Sequence, residues 1–216
     1  VDLSNPESPT ILGQLKIPGF SDYLHPYNDE LIIGLGKEVD YDEKEDTTRE
    51  GGLKISLFDV SDFSNPREVS KIVVGERGTY SEALDNHKAF LFDKSKNLLV
   101  LPIREAEINY RDENDSWGYS DIVYQGAYVF EIDSEDGISM NGKISHLDEE
   151  DLLKSGYYLY SDKSILRSLF IGDSLYTISP QIVKANNFSD LSDISSLVLW
   201  EETEDDLPVE PLPEKR

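Results

Sequence analysis

A phrase recurs three times along this chain of 216 residues. It reads Phe20-Ser21-Asp22-Tyr23-Leu24, then Tyr80-Ser81-Glu82-Ala83-Leu84, then Tyr160-Ser161-Asp162 running on to Leu166. The copies lie 60 and then 80 residues apart, and each is followed by short apolar runs. Self-similarity at this scale marks supersecondary units that stack and share faces, so it constrains the fold more than any single residue does.

Aligning the copies resolves each unit into four strands. β-Branched and aromatic residues alternate over short stretches bounded by turn residues. In the middle unit strand a is 87–93, b is 98–103, c is 124–132 and d is 138–145; Lys94-Ser95-Lys96-Asn97 turns a into b, and Pro102 closes b. In the third unit, Arg167 to Asp173 repeats His87 to Asp93; b is 174–179 with Pro180 after it, c is 181–187 and d is 195–200. The first unit gives 23–27, 31–37, 52–60 and 68–75. A lone strand over 10–17 precedes it and resembles a strand d, because Asp2-Leu3-Ser4-Asn5-Pro6 copies Asp59-Val60-Ser61 and Ser64-Asn65-Pro66. The expectation is an all-β chain of β-propeller-type blades, each of four antiparallel strands: three blades plus one leading strand, over 1–200. Propellers typically have about four to eight blades. Three blades therefore predict a fragment, or a ring completed by another chain, with open blade edges that could pair with a second copy. One short helix is expected in a connector, at 146–156, with acids early, Lys154 late and Gly156 at the end. The stretch 201–216 is acidic, holds three prolines and reads as a tail or linker.

Composition narrows the partners. Acidic residues number 44 against 20 basic, a net charge of −24. Such a field repels nucleic acid and anionic membrane surfaces, and no apolar run is long enough to span a bilayer. A basic protein or cell-surface partner, or cations, are the complementary ligands. The absence of Cys removes disulfides, thiolate metal sites and thiol catalysis. Hydrolase, zinc-protease, Walker and dinucleotide-binding motifs are absent.

The phrases Asp59-Val60-Ser61-Asp62 with Asn65-Pro66, Gly75 to Leu84, and His87-Lys88-Ala89-Phe90-Leu91-Phe92-Asp93 resemble those of secreted archaeal and bacterial proteins carrying a C-terminal β-propeller distantly related to WD40 repeats. The resemblance covers roughly 1–200. It implies a propeller fold and an exported, extracellular or cell-surface setting. It implies no reaction and carries over no catalytic residue.

The candidate site lies in the connectors between strands b and c. In blade one, 38–51 carries Asp40, Asp42, Glu43 and Asp46; in blade two, 104–123 carries Asp112, Glu113 and Asp115. Both connectors leave the same edge of adjacent blades, so they are expected as two long acidic loops forming one partner- or cation-binding face. No cofactor is implied; calcium is the ion such carboxylates would take. Neither Asp112–Ser116 nor Asp133–Gly137 fits the EF-hand spacing, because the twelfth positions are Val123 and Ile144 rather than Glu. His25 and His87 follow the repeated phrase at similar points, with Arg167 third, which predicts a structural role; His146 reads as a surface residue beside the helix. The resulting expectation is a non-enzymatic secreted binding or scaffold module presenting an acidic loop face. The alternative is an extracellular carboxylate-dependent hydrolase, calcium-assisted or not, acting on a polymer.

Overall fold

The computed structural model describes residues 1–42, 46–109, 118–148, 150–152 and 161–201. Blade one is the meander β1 (Phe20–Pro26), β2 (Leu31–Asp42), β3 (Thr47–Asp59) and β4 (Arg67–Val74). Blade two comprises β5 (Tyr80–Ser81), β6 (Leu91–Asp93), β7 (Leu98–Asn109), β8 (Tyr119–Asp133) and β9 (Gly137–Ile144). Blade three is β10 (Arg167–Ile171), β11 (Ser174–Ile178), β12 (Ile182–Asn187) and β13 (Asp193–Val198). All pairings within the blades are antiparallel, and they run in chain order as the repeat predicts, except that β5 and β6 both pair with β7.

Two apolar layers join the blades. Leu99, Leu101 and Ile103 of β7, with Tyr128 and Phe130 of β8, pack against Ile33, Leu35, Leu53, Ile55 and Leu57 of blade one. The alternate residues Leu98, Val100, Ala127 and Val129 face the other way and pack with Ile165 and Leu175 of blade three. Blade two is thus covered on both faces, which is why its strands read as continuous apolar runs rather than clean alternation. Polar clamps reinforce the second layer: the Gln125 side chain donates to Ile165 O at 2.8 Å and accepts from Ile165 N at 3.0 Å.

The structure corrects three expectations. The leading strand over 10–17 does not form; Thr10 makes one bridge to Asp2, and the following residues cross the outer face of blade one, where Lys54 Nζ donates to Pro18 O at 2.5 Å. Strand a of blade two is split: β5 and β6 are separated by the 3-10 turns Glu82–Leu84 and His87–Ala89. Pro102 has no N–H to offer the inner strand, and Ser81 Oγ instead donates to Pro102 O at 2.7 Å while accepting from Ala83 N at 3.2 Å. In blade two the repeated phrase is therefore a turn that ties strand a to strand b, whereas in blade one the same phrase lies within β1. Finally, the connectors expected as loops are strand for much of their length. Of the helix expected at 146–156, Glu150, Asp151 and Leu152 are helical, while residue 149 and residues 153–156 lie outside the described residues, as do 202–216 of the expected tail.

Short Asx turns punctuate the blades. Asp59, Asp62, Asp93 and Asp190 each accept both the backbone N–H and the hydroxyl of the serine two residues on, at 2.6–3.0 Å. These bonds explain why the Asp-x-Ser phrase repeats. The Ser61 hydroxyl, with Arg67 and the Ser61 N–H, holds the Asp59 carboxyl down to about 2.

The two-sided burial of blade two sets an expected outcome for core truncation. Ile55→Ala, at a fully buried position facing blade two, is expected to cost about 2–5 kcal/mol in urea unfolding. Ile194→Ala on the exposed β13 is expected to stay within about 0.5 kcal/mol. Equal losses at the two positions would contradict the layered packing.

Candidate functional site

Because the sheets are antiparallel meanders, the b–c connectors and the d–a connectors of adjacent blades emerge at one edge. There the b and c strands of blades one and two continue past the blade body as two arms. In the first, Val39 pairs with Glu50, Asp40 with Arg49, Tyr41 with Thr48 and Asp42 with Thr47. In the second, Ala106 pairs with Ile122, Glu107 with Asp121, Ile108 with Ser120 and Asn109 with Tyr119. A register shift marks the base of each arm, between Lys37 and Val39 and between Glu105 and Ala106. Such bulges bend and twist a strand where it leaves a sheet.

The d–a connector 75–79 stitches the arm bases together. Gly75 starts it at φ +58°, a conformation that favours glycine. Glu76 N donates to Ala106 O at 2.8 Å, and Thr79 Oγ1 both donates to Ala106 O and accepts from Ala106 N. Arg77 reaches Gly118 O at 3.1 Å, and the Glu76 carboxylate accepts from Ile108 N in the second arm. From blade one, the buried Lys37 Nζ donates to Thr79 O at 2.6 Å and pairs with Glu50 at 3.0 Å. A methyl group at Gly52 would overlap the Gly75 carbonyl, so glycine there permits this close approach. Between the arms lies a cleft of about 360 Å³ lined by Glu38, Arg49, Glu50, Glu76, Arg77 and Ile108.

Most carboxylates at the arm bases are already engaged. Glu38 is buried, which raises its pKa, but the Lys71 ammonium at 2.6 Å and the charge of Lys54 outweigh that and leave it below the usual carboxylate range. On the face of blade two toward blade one, Glu105 accepts from Lys143 at 2.9 Å and from Tyr128. Burial, then Glu105, push the Tyr128 hydroxyl well above its ordinary value; burial also pushes Tyr124 up to about 12.

Of the residues expected to form the acidic face, Asp40 and Asp42 sit in the β2 half of the first arm. Asp46 lies at its turn with φ +50° and accepts from Tyr41 Oη at 2.5 Å. Glu43 and the whole of Asp112, Glu113 and Asp115 lie outside the described residues. Among the described residues no three His, Asp or Glu side chains converge as a metal-binding group. Asp133 serves a turn: its carboxylate accepts from the backbone N–H of Glu135 and Asp136 and from Asn97 Nδ2. Charge density drew attention to 38–51 and 104–123. The signals for strand there were Val39, Tyr41, Thr47 and Thr48, and Ile108, Tyr119 and Ile122.

The histidines diverge from their expected equivalence. His25 lies in β1 within an aromatic cluster, its ring 5.0 Å from that of Phe90 and 5.1 Å from that of Phe92, with Tyr23 Oη 3.0 Å from Nδ1. Burial lowers its pKa. His87 instead occupies an exposed 3-10 turn. His146 is no surface residue: half-buried between blades two and three, it has Nε2 2.8 Å from Thr177 Oγ1 and Nδ1 3.2 Å from Ser179 Oγ. Burial, aided by the charge of Lys184, pushes its pKa down to about 4.

Residues 1–191 match the family model of the Beta propeller domain. The chain belongs to the Beta propeller domain family. The propeller is also 34% identical over 179 residues to an uncharacterized protein of Methanocaldococcus jannaschii, covering 83% of this chain and 21% of that protein. It is 30% identical over 199 residues to an uncharacterized protein of Archaeoglobus fulgidus, covering 92% of this chain and 24% of that one. The chain thus spans between a fifth and a quarter of the length of these relatives.

His146 gives the propeller a testable acid sensitivity. The unfolded chain would take up this proton near 6.5 and the folded chain only near about 4. The stability linked to neutral His146 is therefore complete above the higher value and lost as pH falls toward the lower one. The stability difference between the unaltered propeller and His146→Gln is expected to shrink on acidification through this window, in urea melts at several pH values. A difference independent of pH would contradict the depressed value.

Proposed function

We propose that the propeller is a non-enzymatic, exported binding module whose paired arms present an acidic surface to a basic protein or cell-surface partner. The observation that carries this reading is the side-by-side placement of the two β-ladder arms, cross-linked through 75–79. Order fixed before binding lowers the conformational cost of association, which a pair of unstructured acidic loops would have to meet. The carboxylates at the arm bases are matched internally by Lys37, Lys71 and Lys143. Beyond its base the first arm carries three further acidic residues, Asp40 and Asp42 in β2 and Asp46 at the turn. Charge arranged in this way favours rapid, salt-sensitive association with a cationic surface. The exported setting rests on the resemblance of the repeated phrases.

The test is calorimetric titration with a lysine-rich peptide at low and high salt. The triple change Asp40→Asn, Asp42→Asn and Asp46→Asn is suited to it, because Asn tolerates the left-handed backbone at 46. At about 0.5 kcal/mol per carboxylate the variant is expected to bind roughly tenfold more weakly at low salt. It is also expected to show a shallower salt dependence. Equal affinity and equal salt dependence would remove the arms from the binding surface.

A further inference from the structure

A second cleft, of about 230 Å³, opens between blades two and three, away from the space between the arms. One rung of blade two supplies its polar wall: Tyr80 of β5 pairs with Arg104 of β7, which pairs with Gln125 of β8. Blade three and the turn leading into it supply Ile165, Leu166 and Pro180, with Ser161 and Ser164 beside them, so the opposite wall combines an apolar strip with two hydroxyls. Two of the three rung residues are satisfied within the protein. Gln125 is clamped to the Ile165 backbone, and Tyr80 Oη donates to Asp85 at 2.7 Å.

Arg104 is the exception. Its guanidinium carbon lies over the Tyr80 ring, 5.5 Å from the ring centre, a cation–π contact. Among the described residues it makes no ion pair, and its Nε is buried without an acceptor. A buried guanidinium donor without an acceptor is costly, and in a chain of net charge −24 carboxylates to pair with are abundant. We infer that the cleft between blades two and three is a binding site for a monocarboxylate on a short apolar stem, its head group taken by Arg104 and its stem laid against Ile165, Leu166 and Pro180.

The chemistry selects that class. A carboxylate matches the planar guanidinium edge with two parallel acceptors. Glu82 also lines the cleft, and together with the overall negative field it disfavours a dianion such as phosphate. The carboxylate could belong to a free short-chain acid or to the C-terminus of a partner polypeptide; the recognition chemistry is the same.

The Arg104 Nε–Hε resonance reports the site directly and is identified as the peak lost in Arg104→Lys. Butyrate and an apolar tetrapeptide acid are titrated separately, with butyramide and the tetrapeptide amide as neutral counterparts. The expected result is a saturable shift of the Arg104 resonance with at least one acid and none with its amide. A shift by butyrate alone identifies a small molecule as the source, and one by the tetrapeptide alone identifies a polypeptide. Arg104→Met is expected to melt at a higher temperature than the unaltered chain without ligand, since it removes the unmatched donor, and to gain no stability from either acid. Arg104→Lys, which keeps the charge but not the fork, is expected to lose most of the ligand stabilisation and keeps the test open if the Met variant does not fold. The inference is overturned if neither acid produces a saturable shift, if the amides shift the resonance equally, or if Arg104→Lys is stabilised by the acids as much as the unaltered chain.

Discussion

Packing of blade two between two neighbours organises the molecule. A four-stranded meander has two faces, and here both are apolar, so neither can be left in water without a large loss of burial. β7 and β8 solve this by sending alternate side chains in opposite directions. Leu99, Leu101 and Tyr128 go toward blade one, and Leu98, Val100 and Val129 toward blade three. Blades one and three each cover one of those faces and keep one face outward. There Phe20 and Leu24 of blade one, and Leu169, Ile171 and Leu197 of blade three, remain exposed. The arms depend on the same arrangement, because they are continuations of the strands that these layers hold straight.

Charge is distributed with more order than the net value suggests. Part of the acid excess serves the backbone: Asp59, Asp62, Asp93 and Asp190 close Asx turns through the serine two residues on. Another part is matched by lysines. Lys37 and Lys54 are buried, and each ammonium donates to a backbone carbonyl, Thr79 O and Pro18 O, while Lys37 also pairs with Glu50. A buried ammonium is tolerable when its hydrogen bonds are made and carboxylates lie near. Arg104 departs from the pattern of these two lysines, because its buried Nε has no acceptor.

Hydrophobic periodicity and a repeated turn phrase determined the all-β class, the three meanders, their order and most strand positions. Those properties are local: strand alternation and Asp-x-Ser turns act over a few residues and leave their trace in the sequence. The split inner strand of blade two was half legible, since Pro102 and Ser81 are the cause and both are visible, but their meeting requires the fold. What only the tertiary structure decided was which side chains face one another across blades. Residues 38–42 and 47–51 read as acidic loops because their charge obscured a modest β pattern, and pairing with each other and with 75–79 turned them into arms. His146 looked like a surface histidine because no local pattern places Thr177 and Ser179 beside it. Arg104 gave no signal at all, because a buried guanidinium Nε without an acceptor is a relation among residues far apart in the chain. Such relations are set by how the sheets stack, and a linear sequence records the faces of each sheet but not what lies opposite them.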